Sequence, residues 1–280
     1  MGELRPFAQV DVFTSIPLLG NPVAVVLDGS GLTSEQMQRF THWTNLSEAT
    51  FIVEPTSDQA DYSVRIFCPG RELPFAGHPT LGTCHAWLAA GGQPRGGEVV
   101  QECGAGLVRI RRSPDGRLAF AAPPRIRSGP LSDAEVDQLI KGLGISPSDV
   151  VAHQWCDNGP GWRSLLLRSV DVLHNVQPDA SIIGALDVGL VAPSDSDVDF
   201  EVRAFFPGNN GITEDPVTGS LNAAIGQWLR EANIVSDSYT AIQGTALGRR
   251  GVISIDYDGA DVWVGGHCIT VINGVADLPN

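Results

Sequence analysis

The chain has 280 residues, 42% of them hydrophobic, enough to form one large core or two moderate ones. Its 18 basic and 32 acidic residues give a net charge of −14, and so negative a surface repels phosphate backbones, which excludes nucleic acid from the expected partners. No apolar run reaches the roughly 18 residues of a membrane-spanning helix. The opening residues MGELRPFAQVDVF lack the basic-then-apolar layout of a signal peptide, and Pro6 breaks the myristoylation pattern. A cytoplasmic protein is expected.

The elements follow in chain order. FAQVDVF and NPVAVVL read as strands. Thr33 opens a helix, TSEQMQRFTHW, with Gln36 placed to complete a capping box. Strands ATFIVE and YSVRIFC come next, then a helix, GHPTLGTCHAWLAAGG, and strands LVRIRR and RLAFAA. A boundary falls in AAPPRIRSGP, Ala121 to Pro130, where Pro123 and Pro124 force an extended connector. Ser132 opens the helix SDAEVDQLIKGLG, with Glu135 as its capping partner and Gly142 near its stop. Strands SLLLRSV and FEVRAFF, a helix GSLNAAIGQWLREAN, and strands VISIDY and DVWVGG complete the chain. Many short strands with few helices point to an α+β class. The five cysteines, Cys68, Cys84, Cys103, Cys156 and Cys268, are widely spaced and contain no C-x-x-C, so reduced and mostly buried thiols are expected.

One block recurs. DYSVRIFCPG (61–70) matches DFEVRAFFPG (199–208) at Asp, Val, Arg, Phe, Pro and Gly. Each copy is followed by a polar, glycine-containing turn and then a helix ending in Trp-Leu, at Trp87-Leu88 and Trp228-Leu229. A chain built from two similar halves is expected. If the halves face one another, the two loop–helix junctions converge on one cleft. Each junction offers the free N–H groups of a helix start, which bind anions, and Gly77 and Gly219 let a ligand come close to the backbone. The plainer reading is that Thr80 and Ser220 simply cap these helices. Titratable groups near the junctions are His78 at the first, Glu214 and Asp215 at the second, and Glu48 in NLSEATFIVE. A partly buried Glu48 would suit proton transfer. No Ser-His-Asp order, G-x-S-x-G, H-E-x-x-H or full dinucleotide fingerprint is present, so no metal and no cofactor are expected.

The segments DVFTSIPLLGNPVAVV, NLSEATFIV, RELPFAGHPTLGTCHAWL, GITEDPVTGSLNAA and QGTALGRRGVISI with VWVGG cover nearly the whole chain. In them the sequence resembles the phenazine biosynthesis isomerase-like (PhzF-like) family. The resemblance implies the diaminopimelate-epimerase fold, in which two pseudo-symmetric halves each wrap a mixed sheet around a central helix. The halves are expected at 1–122 and 123–265, with residues 266–280 returning to the first. It implies a cofactor-independent isomerase and a homodimer. Glu48 is the implied acid/base, moving a proton between carbons of a small carboxylated metabolite. His78 and Asp215 would orient and polarise the substrate, and Ser220 would hold its carboxylate. Asn21, Gly77 and Gly219 would line the cleft. Related two-thiol epimerases carry a cysteine at each junction, where this chain has Ala76 and Thr218. That counts against an epimerase or racemase on an amino-acid-like substrate, which with a non-catalytic carboxylate-binding module forms the alternatives. Where the phenazine isomerases continue with small residues, this chain has Leu221 and Asn222, which are expected beside the carboxylate site and to bear on substrate choice.

Overall fold

The computed structural model describes Gly2–Gly208 and Gly211–Pro279. The chain divides into two compact units, Met1–Ala121 with Gly265–Asn280, and Ala122–Val264.

In the first unit, β1 (Gly2–Val12) lies between β2 (Asn21–Val26) and the C-terminal strand (Cys268–Pro279), antiparallel to both. Helix α1 (Ser34–Thr44) carries the sequence on to β3 (Ala49–Val53), which is parallel to β2. The capping box of α1 forms at Thr33 and Gln36, and Asn45 ends the helix in the left-handed region at φ 56°. β4 (Tyr62–Cys68) returns antiparallel to β3 and sends off a short hairpin partner, β5 (Arg71–Leu73). Helix α2 (Gly77–Ala89) then crosses to β6 (Val99–Cys103), parallel to β4, and β7 (Gly106–Arg112) and β8 (Leu118–Ala121) follow antiparallel.

The sheet curls around α2, which touches β1, β2, β3, β6, β8 and the C-terminal strand. Residues Gly77 to Cys84 are buried without interruption. A helix so enclosed must be thin where strands press on it. At Gly82 even a single added Cβ would lie 2.3 Å from Val23 Cγ1 and 3.0 Å from Val12 Cγ2.

The second unit repeats this plan. α3 (Asp133–Leu143) precedes β9 (Val150–Cys156) and β10 (Trp162–Leu167), which are antiparallel. Two short helices, α4 (Val170–Asn175) and α5 (Ala180–Ile183), lead to β11 (Val188–Pro193), parallel to β10. β12 (Phe200–Gly208) is antiparallel to β11 and carries the short partner β13 (Gly211–Glu214). A buried helix follows (Gly219–Glu231), joining β12 to its parallel neighbour β14 (Tyr239–Gln243). This helix becomes α6. β15 (Gly251–Asp258) is antiparallel to β14, and β16 (Asp261–Gly266) follows it in the chain. Both units thus run through antiparallel, parallel, antiparallel, parallel and antiparallel pairings in the same order. Both buried helices, α2 and α6, are 13 residues long.

The recurring sequence block falls on β4 and β12, and its arginine does the same thing twice. Arg65 makes a two-pronged pair with Glu72 across the β4–β5 hairpin, and Arg203 makes one with Glu214 across β12–β13. Glu214, one of the titratable groups near the second junction, is thus mostly covered and paired with Arg203. Arg203 also donates to the Leu173 and Val176 carbonyls at the end of α4.

Three local readings change. Gly142 is buried inside α3, and the helix instead ends at Gly144, in the left-handed region at φ 68°. The run SLLLRSV stops being a strand at Leu167, because Ser169 caps α4. The strands β6, β9, β11 and β14 give weak sequence signals. β11 contains Gly189 and Pro193, and β9 interleaves His153 and Gln154, so neither shows a clean period of two.

Arg203 and Glu214 are 7% and 11% exposed, while Arg65 and Glu72 are 28% and 41% exposed. Removing one member of a buried pair strands the other charge, at a cost of about 3–5 kcal/mol, whereas an exposed pair contributes about 0–1 kcal/mol. Urea denaturation is expected to show this asymmetry between Arg203→Met and Arg65→Met. Equal losses would contradict it.

Candidate active site

Glu48 ends the loop from α1 and directly precedes β3. Its side chain is 16% exposed, and its Oε2 lies 3.3 Å from His78 Nε2. His78 is the second residue of α2 and is buried. On its other side, Nδ1 lies 3.3 Å from the Nδ2 of Asn21, the first residue of β2, which is fully buried. The unit thus assembles Asn21, His78 and Glu48 in a line, with Gly77 beside His78 in the first turn of α2.

Burial lowers the His78 pKa to about 3, while the Pro22 carbonyl works weakly the other way. The ring is neutral at physiological pH, with Nε2 turned toward the Glu48 carboxylate and Nδ1 toward the Asn21 amide.

In the second unit, Asp215 follows β13 and its position is fixed by polar bonds. Thr218 Oγ1 donates to Asp215 Oδ2 at 2.6 Å. Gln243, buried at the end of β14, joins this group: its Nε2 donates to Asp215 O and Thr218 Oγ1, and its Oε1 accepts from Thr218 N and Asn222 Nδ2. The next residue, Gly244, sits at φ 96°, and a Cβ there would come within 2.7 Å of the Pro216 carbonyl. Glycine thus lets β14 close against the Asp-Pro turn.

The expected caps do not form. The N-caps are Ala76 for α2 and Thr218 for α6, and neither makes a side-chain cap bond. Thr80 is a fully buried acceptor for Gln101 Nε2, and the Thr218 hydroxyl is committed to Asp215 and Gln243. The first-turn N–H groups at Gly77, Gly219 and Ser220 are left uncapped at two helix starts, a setting that favours anions. Ser220 is half-buried and close to Trp162 and Asn158.

Leu221 and Asn222 are both fully buried. Leu221 fills the space over Gly189, where a Cβ would lie 2.4 Å from its Cδ1, and Asn222 bonds Thr218 O and Gln243. Both are thus held by packing and bracing contacts within the second unit. Gln243 had no role in the sequence reading, and Thr218 entered it only as the place of a missing thiol. The signal available was the stretch QGTALG, where a glutamine followed by glycine sits between strands. The two places where a thiol pair would stand are the N-caps Ala76 and Thr218, and all five cysteines are free. Burial raises the Cys84 thiol to about 12 and the Cys156 thiol to about 11, so neither is a ready base.

Comparison with known proteins agrees with this plan. The family model described as phenazine biosynthesis-like protein matches residues 10–274. The chain is 35% identical to antisense-enhancing sequence 1 of Schizosaccharomyces pombe, over 96% of this chain and 97% of that protein. It is 32% identical to a trans-2,3-dihydro-3-hydroxyanthranilate isomerase of Pseudomonas fluorescens, over 88% of each. Among solved structures, a phenazine biosynthesis protein of the PhzF family from Enterococcus faecalis superposes with a TM-score of 0.80 at 26% identity, over 99% of this chain and 100% of that one. A hydroxyproline epimerase from Agrobacterium vitis gives a TM-score of 0.60 at 12% identity, over 100% of this chain and 95% of that one, a likeness of fold alone.

The neutral His78 has a consequence for stability. The unfolded imidazole takes a proton below pH 6.5, but the folded one does so only near 3. The unfolded state therefore binds more protons in this window, and stability falls as pH falls through it. Between pH 6.5 and 5 the His78 contribution is about 2 kcal/mol at 1.36 kcal/mol per unit. Urea titrations at the two pH values are expected to show a larger loss for the wild type than for His78→Gln. Parallel losses would show that His78 is not held neutral.

Proposed function

The chain belongs to the phenazine biosynthesis-like family and is an isomerase with the α+β diaminopimelate-epimerase-like fold, and we propose that it moves a proton on a small carboxylated metabolite with Glu48 as the single acid/base. The observation that carries this reading is the pairing of Glu48 Oε2 with the buried, neutral His78 at 3.3 Å. Glu48 as carboxylate removes a proton from one carbon. The electron pair left behind delocalises through the conjugated substrate, and Glu48, now protonated, returns the proton to a different carbon. Proton and electrons balance with no external oxidant or reductant.

In this reading His78 orients the substrate beside Glu48, while Asn21 holds the ring. Asp215, fixed by Thr218 and Gln243, orients and polarises the substrate. Gly77, Gly219 and Ser220 supply donors suited to a carboxylate. No helix among the described residues is long and apolar enough to cross a membrane.

Several relatives are named for trans-2,3-dihydro-3-hydroxyanthranilate, which makes that compound the first to assay. Glu48→Gln is expected to lower kcat by about 10²–10⁴-fold, the usual weight of a positioned acid/base. Wild-type turnover in deuterated water is expected to place deuterium at the carbon that receives the proton, to the extent that protonated Glu48 exchanges with solvent before the return. Full turnover by Glu48→Gln, or product free of solvent deuterium together with a second basic group accounting for the transfer, would overturn the reading.

A further inference from the structure

We propose that Trp162 is a positioning residue for Ser220, the counterpart in the second unit of Asn21 beside His78 in the first. The inference rests on the reading of Ser220 as a carboxylate-holding group.

The argument starts from the repeated plan. In the first unit, the second strand begins at Asn21, whose side chain reaches the second residue of the central helix, His78. In the second unit, the equivalent strand, β10, begins at Trp162, and its indole Nε1–H donates to Oγ of Ser220, the second residue of α6, at 3.1 Å. The registers agree, since Asn21 pairs with Val12 and Trp162 with Cys156, each at the end of the preceding strand. One side chain, two strands into each unit, thus braces the same position of each central helix.

The loop before Trp162 is organised for this. Asp157 Oδ1 accepts from the N–H groups of Gly159 and Gly161, which folds the turn between β9 and β10 tightly. From that turn Asn158 donates to the Ser220 carbonyl at 2.9 Å. Ser220 is therefore gripped at its backbone by Asn158 and at its side chain by Trp162, which is itself only 4% exposed.

The chemical effect follows from the inventory of a hydroxyl, which has one hydrogen and two lone pairs. Indole nitrogen can only donate. With the indole occupying a lone pair, Ser220 directs its own hydrogen elsewhere, and among the described residues that hydrogen meets no acceptor. Trp162 thus leaves the Ser220 hydrogen available to donate, the role a ligand carboxylate requires.

The test uses the full chain labelled with ¹⁵N at tryptophan. Its six indole N–H signals can be followed individually, with Trp162→Phe identifying the one that belongs to Trp162. Without ligand, Ser220→Ala is expected to shift that signal and speed its exchange with solvent, a readout that leaves Trp162 in place. Titration with anthranilate as the carboxylate probe is expected to bind the wild type about 3–10-fold more tightly than Trp162→Phe, the range of one lost hydrogen bond. The double variant Trp162→Phe/Ser220→Ala is expected to bind no more weakly than Ser220→Ala alone, because the tryptophan acts through the serine. Independent, multiplying losses, or wild-type affinity in Trp162→Phe, would overturn the inference while leaving Ser220's carboxylate role standing. Wild-type protein that takes up no anthranilate would instead remove that role, and the inference with it.

Discussion

A helix enclosed by its own sheet cannot turn to solvent for the hydrogen bonds its first turn lacks. That constraint governs both units. α2 and α6 begin without side-chain caps, so their opening N–H groups, with the partial positive charge of the helix end, are held in polar but incompletely satisfied surroundings. The nearby polar side chains are arranged around these openings without closing them. Thr218 could have capped α6, yet its hydroxyl is bound to Asp215 and Gln243. Helix starts left in this way favour a negatively charged group.

The two units share a frame and differ in what the frame holds. At the second position of the helix, one has a histidine kept neutral by burial and the other a serine. At the hairpin before the helix, one has an exposed arginine–glutamate pair and the other a buried one. The buried version fixes the end of β13, from which Asp215 follows directly, while the exposed version precedes a segment without an equivalent carboxylate. The units thus differ at the helix starts while their strands pair in the same order.

Much of this was legible in the sequence. The repeated Asp, Val, Arg, Phe, Pro and Gly revealed the duplication because these residues serve the frame itself: the aspartates Asp61 and Asp199 bind the edges of neighbouring strands, and the arginines close the hairpins. Glu48 and His78 stood out as titratable groups near a helix start. The pairing of Glu214 was not legible, because a carboxylate next to Asp215 gives no sign of an arginine eleven residues earlier in the facing strand. Gln243 and Trp162 escaped for a similar reason. Their work is done across sheet pairings and loop closures that local spacing does not encode. Leu221 and Asn222 were judged by their neighbours in sequence, whereas their burial is set by Gly189 and Gln243, which are distant along the chain.

The pairing of β1 with the C-terminal strand also governs how the chain can assemble. The first unit is made from two segments far apart in sequence, with Gly2 opposite Pro279 and Val12 opposite Cys268. During synthesis, β1 therefore leaves the ribosome with one edge unpaired and keeps it so until Cys268–Pro279 is made. The second unit is a continuous insertion, Ala122–Val264, and has all its strands at hand well before then. Contacts between distant residues are slow to form because the loop between them must be closed first. The order of folding is thus the reverse of the order of synthesis: the unit encoded in the middle is complete first, and the unit that begins the chain is the last to close.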